Sequence, residues 1–408
     1  MAGTISPASN PSDVGASGDP ASQRLVSIDA YRGLVMFLMV AEVLHLGDLA
    51  EAHPGNRLLG WLAFHQSHVE WVGCSLHDLI QPSFSFLAGV SLPFSILSRR
   101  RRGQSWGQMF GHALVRSMIL IWLGVFLRSI GHSQTRFTFE DTLSQIGLGY
   151  PFLFLLACAP RRGQWIGLAA ILVAYWAAFA LYPLPGADFD WSQTGVTADW
   201  PHHLHGFAAH WNKNTNLAWA FDRWFLNLFP RKEPFLFNGG GYSTLSFIPT
   251  LGTMVLGLIA GGWLQDGALS PQTKIKRMLG VGLALIVTGY LLGAAGICPV
   301  VKRIWTPSWT LFSGGWCLFL LASFYGLLDV AKRSALWVFP LLVLGANSIA
   351  AYCLDHLCGD FIRDTLNTHF GAARFATVWG HFFQGVLVFG ILWCMLYWMY
   401  RRRIFLRI

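Results

Sequence analysis

The sequence predicts an all-α, polytopic integral membrane protein with about ten transmembrane helices, and three observations lead to this fold class. Hydrophobic residues make up 54% of the 408-residue chain and charged residues only 12%, too little charge for a water-facing surface. Apolar stretches long enough to cross roughly 30 Å of hydrocarbon recur along the chain. Short basic clusters lie at the ends of these stretches, in alternate connections.

The apolar stretches give the predicted spans, each at least long enough to cross the hydrocarbon core of a bilayer. An even number of spans places both ends of the chain on the same side. The segments run approximately over Gly33–Leu49, Leu76–Leu97, His112–Ile130, Thr142–Ala159, Gln164–Tyr182, Thr244–Leu264, Ile275–Gly296, Trp309–Leu328, Ala335–His356 and Ala376–Tyr400.

The basic clusters predict which side is cytoplasmic, because Lys and Arg are enriched in cytoplasmic connections. They place both termini in the cytoplasm. The clusters are Arg99 to Arg102, Arg161–Arg162, Lys274/Lys276/Arg277, Lys332–Arg333 and Arg401 to Arg403. The intervening connections are rich in Trp, Tyr and His and are expected to face outward: Glu51–Trp71, Gly131–Asp141, Pro183–Ser243, Cys298–Pro307 and Gly359–Arg374.

The domain organisation follows from the same pattern. Residues 1–22 are rich in Gly, Ser, Pro and Ala without an apolar core, which predicts a disordered cytoplasmic tail. Residues 23–408 form the predicted transmembrane domain. Within it, residues 183–243 are too long for a plain turn and are expected to fold as an external cap.

The net charge and the cysteines exclude other classes of function. The charge of +9 could suit a nucleic-acid binder, but its basic residues cluster beside apolar runs, where they favour the headgroups of membrane lipids. No nucleic-acid partner is therefore expected. The seven cysteines carry no disulfide or zinc signature, and most lie in apolar runs.

The densest set of titratable groups leads into the second predicted span. His68 and Asp78 belong to it, and a buried carboxylate can orient an imidazole that takes a proton near neutral pH. On spacing alone, an interfacial histidine is more often solvated or capping. Glu42 and His45 lie in the outer half of the first span, where an unpaired charge is costly, so they are expected to face a polar cavity. With His68 and Asp78 they are the candidate catalytic residues.

The long outer connection interleaves histidines with aromatics between Trp200 and Asn214. Its spacing fits no standard zinc pattern, and no metal is expected. Such a surface is suited to stacking on a sugar ring or a headgroup, although an inert folded loop fits equally well. The candidate substrate-binding residues are Trp71, His205, His210, Trp211, Asn212 and Asp222.

The ninth segment carries Asn347 and Ser348 at membrane depth. Hydrogen bonds between helices explain such residues, and the lining of a substrate tunnel is the alternative.

At these motifs the chain resembles the transmembrane acyltransferase family of heparan-α-glucosaminide N-acetyltransferase and its bacterial relatives. The resemblance covers nearly the whole chain after the tail. It rests on Arg24-Leu-x-Ser-x-Asp29-x-x-Arg32-Gly33, His68-x-x-Trp71-x-Gly73-x-x-x-x-Asp78-Leu-x-x-Pro82, Gly345-x-Asn347-Ser348 and the closing Arg403-Ile-Phe-Leu-Arg-Ile.

The resemblance implies that acetyl-coenzyme A is taken from the cytosol and that the amino group of a terminal glucosamine-like sugar is acetylated on the far side. It puts the active-site histidine at His68 and implies a bacterial inner-membrane location and a homodimer. The chain departs from the family at Val43, where the lysosomal enzyme has an asparagine that pairs with its histidine. Because of this departure, the resemblance leaves open whether the substrate or the mechanism is the same.

These observations give a leading hypothesis. His68 either deprotonates the acceptor or accepts the acetyl group first, with Asp78 supporting it. Arginines suit the donor's phosphates, but the positive-inside rule explains the same clusters. The candidate donor-binding residues are Arg99, Arg100, Arg116, Arg161, Asn347 and Ser348.

Two other classes of protein share these features. A transporter or flippase for a sugar or lipid-linked intermediate also needs glycines, prolines and polar groups at membrane depth. A noncatalytic membrane partner of sugar enzymes needs only the aromatic outer loop. The sequence does not identify the acceptor.

Overall fold

The computed structural model describes residues 25–333 and 336–406. Several features of the sequence lie outside these ranges. They are the predicted tail over residues 1–22, Arg24 of the first motif, Ala335 at the start of the ninth segment, and Arg407 and Ile408 of the closing motif.

Within the described ranges the chain forms fourteen α-helices, and the only β-pairing is an isolated bridge. The helices are α1 Val26–Val40, α2 Leu46–Ala52, α3 Arg57–His65, α4 Ile80–Arg101, α5 Trp106–Ser129, α6 Thr142–Ala157, α7 Arg161–Ala180, α8 Leu217–Phe225, α9 Phe247–Gln265, α10 Pro271–Ala294, α11 Pro307–Phe324, α12 Val338–Ala346, α13 Ser348–Phe370 and α14 Val378–Arg401. Shorter 3₁₀ turns include Ala41–Leu44 and His77–Leu79, and a π-helical turn extends α11 over Tyr325–Val330.

These helices make the chain an integral membrane protein. In the described residues, seven helices are long and apolar enough to cross a bilayer, and up to nine spans result if each of two bent pairs counts as one. The bent pairs are α1 with α2, at 48°, and α12 with α13, at 81°. The apolar helix α6 has 16 residues and is shorter than those seven helices. Each of the ten predicted segments overlaps one of these helices or bent pairs.

Small residues let the central helices approach closely. On α9, Gly257 and Gly261 lie against the backbone of α4, where an added Cβ would come within 1.9 Å of the Phe86 carbonyl oxygen and 2.3 Å of that of Val90. Gly89 of α4 makes the reciprocal approach to Met254. Such close packing is how helices associate in lipid, where no hydrophobic force drives them together. Helix α9 is buried along almost its whole length and forms the centre of the bundle.

The ninth predicted segment is not a single straight helix. It breaks at Asn347, whose side-chain amide donates to the carbonyl of Ile404 at 2.7 Å and accepts from the amide of Leu406 at 3.0 Å. Before the break, α12 packs antiparallel to α1: Gly33 faces Leu341 and Gly345 faces Asp29. The hydrogen bonds that Asn347 makes to the C-terminal segment hold this bend in place.

The bundle has two ends. We call the end that carries Arg101, Arg161 and Arg401 the basic end, and the opposite end, which carries His68 and Lys302, the histidine end. Residues 181–243 lie at the histidine end and hold α8 and several short turns.

This long connection has a core of its own against the bundle. Trp211 and Ala218 pack with Tyr175 and Phe179 of α7, and all four are buried. The connection is therefore a packed element seated on the histidine end.

Candidate active site

Two connections meet at the histidine end and assemble the site. An isolated antiparallel bridge joins Val72, before α4, to Val301, between α10 and α11, and the amide of Gly73 donates to the carbonyl of Val300 at 3.0 Å. Gly73 has a φ of 127°, which favours glycine there. Arg303 strengthens the junction by donating to the carbonyls of Val69, at 3.2 Å, and Gly240, at 2.7 Å. As a result, residues more than 200 positions apart share one site.

The centre of the site is a cluster of His68, Asp78 and Lys302. Nδ1 of His68 lies 2.8 Å from Oδ1 of Asp78 and 3.0 Å from Nζ of Lys302. Nζ of Lys302 in turn lies 3.2 Å from the same carboxylate oxygen. Asp78 and Lys302 are 1% and 5% exposed, whereas the side chain of His68 is 36% exposed. The imidazole is thus the most accessible of the three groups.

The Asp78 carboxylate is held by its own loop. Its Oδ2 accepts from the amide and the hydroxyl of Ser75, each at 3.0 Å, and from the amide of Val69 at 3.3 Å. A carboxylate that is fixed in this way can fix an imidazole in turn. The tautomer whose Nδ1–H donates to Asp78 has its lone pair on Nε2.

Lys302 supplies the charge that balances Asp78. Burial lowers the pKa of Lys302, and the neighbouring carboxylate opposes this shift. A buried carboxylate without a cation is costly, so the ammonium group supports the ionised form of Asp78 that His68 needs.

A cavity of about 410 Å³ opens in front of His68. Glu42, Glu140 and Asp141 line it, together with Arg128. The His77 ring lies 4.6 Å from the His68 ring, centre to centre, and Nε2 of His77 is 3.9 Å from the Glu42 carboxylate. The charges of Lys302 and Asp78 offset each other. On the rest of the cavity wall, the three carboxyl groups outnumber the one arginine.

A larger cavity of about 800 Å³ reaches from the basic end toward the first. Arg101 and Arg102 line it at the basic end. The two cavities have three lining residues in common, Phe84, Thr142 and Tyr352, and therefore adjoin at these side chains. Together they extend between the two ends of the bundle.

The catalytic and donor-binding residues predicted from the sequence lie in several parts of the structure. His68, Asp78 and Glu42 come together, whereas His45 lies at the bend between α1 and α2, with its ring 6.2 Å from that of His381. Arg116 and Ser348 line the larger cavity. Arg99 lines a smaller side cavity, Arg161 pairs with Asp266 at 3.5 Å, Asn347 holds the C-terminal segment, and Arg100 lines none of these three cavities.

The predicted substrate-binding residues mostly build the core of the long connection. Trp71 is buried and donates from its indole to the carbonyl of Trp211 at 3.0 Å, and Trp211 is itself fully buried. The other hydrogen bonds join Asn212 to Leu204, His210 to the carbonyl of Tyr182, and Asp222 to the amide of Thr244, while His205 is exposed. The long connection lines the His68 cavity through Asn238, Gly240 and Tyr242.

Two groups of residues in the candidate site escape the sequence reasoning. Lys302 and Arg303 stand in a connection that is expected to face outward, where a pair of basic residues is unusual. That anomaly is the signal that could have found them. The wall residues Glu140 and Tyr352 carry no comparable signal, because their place in the cavities depends on how distant helices pack.

Buried Asp222 leads to a first prediction, on stability and pH. Burial raises its pKa to about 7, and its Oδ1 has no hydrogen-bond partner in the described part of the chain. The unfolded chain loses this proton near pH ~4. Between about pH 4 and 7 only the folded protein keeps the proton, so the free energy of unfolding falls as pH rises, by roughly 4 kcal/mol in all at about 1.36 kcal/mol per unit.

Asp222→Asn has no proton to lose and keeps an acceptor for the Thr244 amide. Its melting temperature in detergent should therefore exceed that of the wild type by a margin that widens between about pH 4 and 7. Asp188→Asn, at an exposed position of the same connection, serves as control. A margin that does not change with pH would contradict the assignment.

Comparison with known proteins supports a distant relationship. Human heparan-alpha-glucosaminide N-acetyltransferase is 24% identical over a 370-residue alignment that covers 81% of this chain and 52% of the human protein. The mouse protein of the same name is also 24% identical over 370 residues and is covered to 53%. The chain thus spans about half the length of the curated relatives it matches, and no protein-family model matches it. The chain is a distant relative of heparan-α-glucosaminide N-acetyltransferase.

Proposed function

We propose that the protein is a membrane acetyltransferase that moves an acetyl group from acetyl-coenzyme A, bound at the basic end, to an amino sugar at the histidine end. One observation carries this function: the two cavities adjoin at Phe84, Thr142 and Tyr352, with Arg101 lining one and His68 lining the other. A donor that is held at one end can present its thioester at the other.

The larger cavity suits a long phosphorylated donor. Its volume of about 800 Å³ lies within the usual range for ligand pockets. Arg101 and Arg102 line the basic end, where fixed guanidinium donors suit phosphate oxygens. Farther along the cavity, Arg32 lies 3.5 Å from Asp29, and apolar side chains complete the wall. Phosphates would bind the arginines, and the pantetheine arm would follow the apolar wall.

His68 is suited to the transfer step because it lines the cavity while Asp78 and Lys302 contact its Nδ1. In direct transfer the amine nitrogen attacks the thioester carbonyl, the C–S bond breaks, Nε2 takes the nitrogen's proton, and that proton reaches the coenzyme A thiolate. In the covalent route Nε2 attacks the thioester carbonyl, the C–S bond breaks and the coenzyme A thiolate leaves. The amine then attacks the acyl-imidazole, the bond from the acyl carbon to Nε2 breaks, and the proton of the amine passes to the thiolate. Both routes use the same hydrogen bond from His68 to Asp78.

The wall opposite His68 favours an amine as the acceptor. Glu42, Glu140 and Asp141 outnumber Arg128 there, so a protonated amine is attracted into the cavity. Burial raises the pKa of Glu140, which brings this carboxyl closer to the range in which it can accept the ammonium proton. A terminal glucosamine-like sugar combines such an amine with hydroxyls that suit a polar cavity.

The remaining assignments complete this model. The basic end faces the cytoplasm, in keeping with the positive-inside rule, and both termini lie there, in a bacterial inner membrane. The acceptor lies on the extracytoplasmic side, and the protein works as a homodimer, as in the resemblance. A transporter or flippase is less favoured, because moving a sugar gives no role to a histidine held by a buried Asp–Lys pair.

Blocking the point where the cavities adjoin tests the connection. Thr142→Trp adds a large side chain between donor and acceptor cavities and should lower acetyl transfer by about 10²-fold or more, because the reacting groups can no longer align. Acetyl-coenzyme A binding at the basic end should persist, as measured by calorimetry. Thr288→Trp, on an exposed face of α10, is the matched control. Equal turnover in the two variants would contradict the connection.

A further inference from the structure

A third cavity lies beside the larger one, near the basic end, between α4, α5 and α6. Its volume is about 190 Å³. Its wall includes Val115 and Ile119 of α5, which are 57% and 43% exposed on the outer surface of the bundle. In a membrane this surface faces lipid, so the cavity opens toward the bilayer.

The wall of this side cavity is strongly basic. Arg99 of α4 and His112 and Arg116 of α5 line it, and none of the described residues that line it is acidic. His112 and Arg116 are four residues apart and share one helix face. The charge of the lining is therefore complementary to an anion. Apolar side chains form most of the remaining wall.

Arg116 is the unusual member of this set. It lies about 15 Å along α5 from the helix start at Trp106, and His112 lies about 9 Å along, at 1.5 Å per residue. An arginine at such depth needs a partner. Its Nη1 donates to the Tyr150 hydroxyl at 3.0 Å, whereas its buried Nε has no hydrogen-bond partner in the described residues. No carboxylate of the described chain lies within 4.0 Å of this guanidinium group.

We propose that the side cavity binds the headgroup of an anionic phospholipid from the surrounding bilayer. Arg99, at the basic end, and His112 hold the phosphate, Arg116 lies beneath it, and an acyl chain follows the exposed apolar face of α5. Basic pockets between transmembrane helices on the cytoplasmic side suit anionic headgroups. Arg116 also lines the larger cavity, so a bound lipid would fix one of its walls.

Native mass spectrometry of the full chain, released from nanodiscs that contain phosphatidylcholine and phosphatidylglycerol, tests the site. Arg99→Gln/His112→Gln keeps both positions polar and should retain one phosphatidylglycerol fewer than the wild type. Arg277→Gln/Arg402→Gln removes two exposed cations at the basic end, outside the side cavity, and should retain the wild-type number. Melting temperatures in lipid-free detergent establish that the variants are folded.

Three outcomes would overturn the proposal. The test variant retains as much phosphatidylglycerol as the wild type, phosphatidylcholine is retained equally well, or an excess of coenzyme A displaces the lipid. Displacement would assign the cavity to the donor instead. The lipid count does not depend on acetyl transfer, so it is valid whether or not the protein is an acetyltransferase.

Discussion

His68→Ala is expected to lower acetyl transfer by about 10²- to 10⁴-fold, the usual contribution of a positioned general base. The imidazole is the exposed member of a cluster whose other two members are buried. Its removal leaves the 3.2 Å pair of Asp78 and Lys302 in place, so the fold should persist. The measurement is acetyl-coenzyme A turnover by purified protein with a panel of amino sugars.

The control for this variant is His132→Ala, an exposed histidine in the connection between α5 and α6. Turnover by the control should equal that of the wild type, and both variants should bind acetyl-coenzyme A and melt as the wild type does. If His68→Ala retained wild-type turnover, the assignment of His68 would be wrong.

Lys302→Met is expected to impair both stability and transfer. Removing one partner of a buried ion pair costs about 3–5 kcal/mol, because the remaining charge is left without compensation. Asp78 would keep its bonds from Ser75 and Val69 but lose its cation. Without the cation the buried carboxyl favours its protonated form, and a protonated Asp78 holds His68 less well.

A double variant separates the loss of stability from the loss of transfer. Asp78→Asn/Lys302→Met contains no unpaired charge and should recover much of the melting temperature that Lys302→Met loses. It should remain inactive, since His68 lacks its carboxylate. Lys232→Met, at an exposed position, is the matched control. An active double variant would show that the pair serves stability alone.

Much of the fold could be predicted because bilayer thickness imposes a length on every apolar segment. The predicted segment Thr244–Leu264, for example, matches the helices from Thr244 to Gln265 closely. The breaks could not be predicted in this way. The bend at Asn347 depends on hydrogen bonds to Ile404 and Leu406, 57 and 59 residues away, and an apolar pattern carries no information about such partners.

The site was predictable in part for a similar reason. His68 and Asp78 stand ten residues apart in one dense motif, so sequence reasoning brings them together. Lys302 joins them through the junction that the bridge between Val72 and Val301 helps to form, a contact between residues more than 200 positions apart. Trp71 shows the converse limit: it was named as a candidate substrate-binding residue, and its ring is buried in the core of the long connection.

Transfer across a bilayer is the central claim, and proteoliposomes test it most directly. Acetyl-coenzyme A is supplied on one side only and glucosamine is enclosed on the other, with His68→Ala vesicles as background. We expect N-acetylglucosamine to form on the glucosamine side, and only in vesicles whose basic end faces acetyl-coenzyme A. Transfer that requires donor and acceptor on the same side, or no transfer in either arrangement, would contradict the claim.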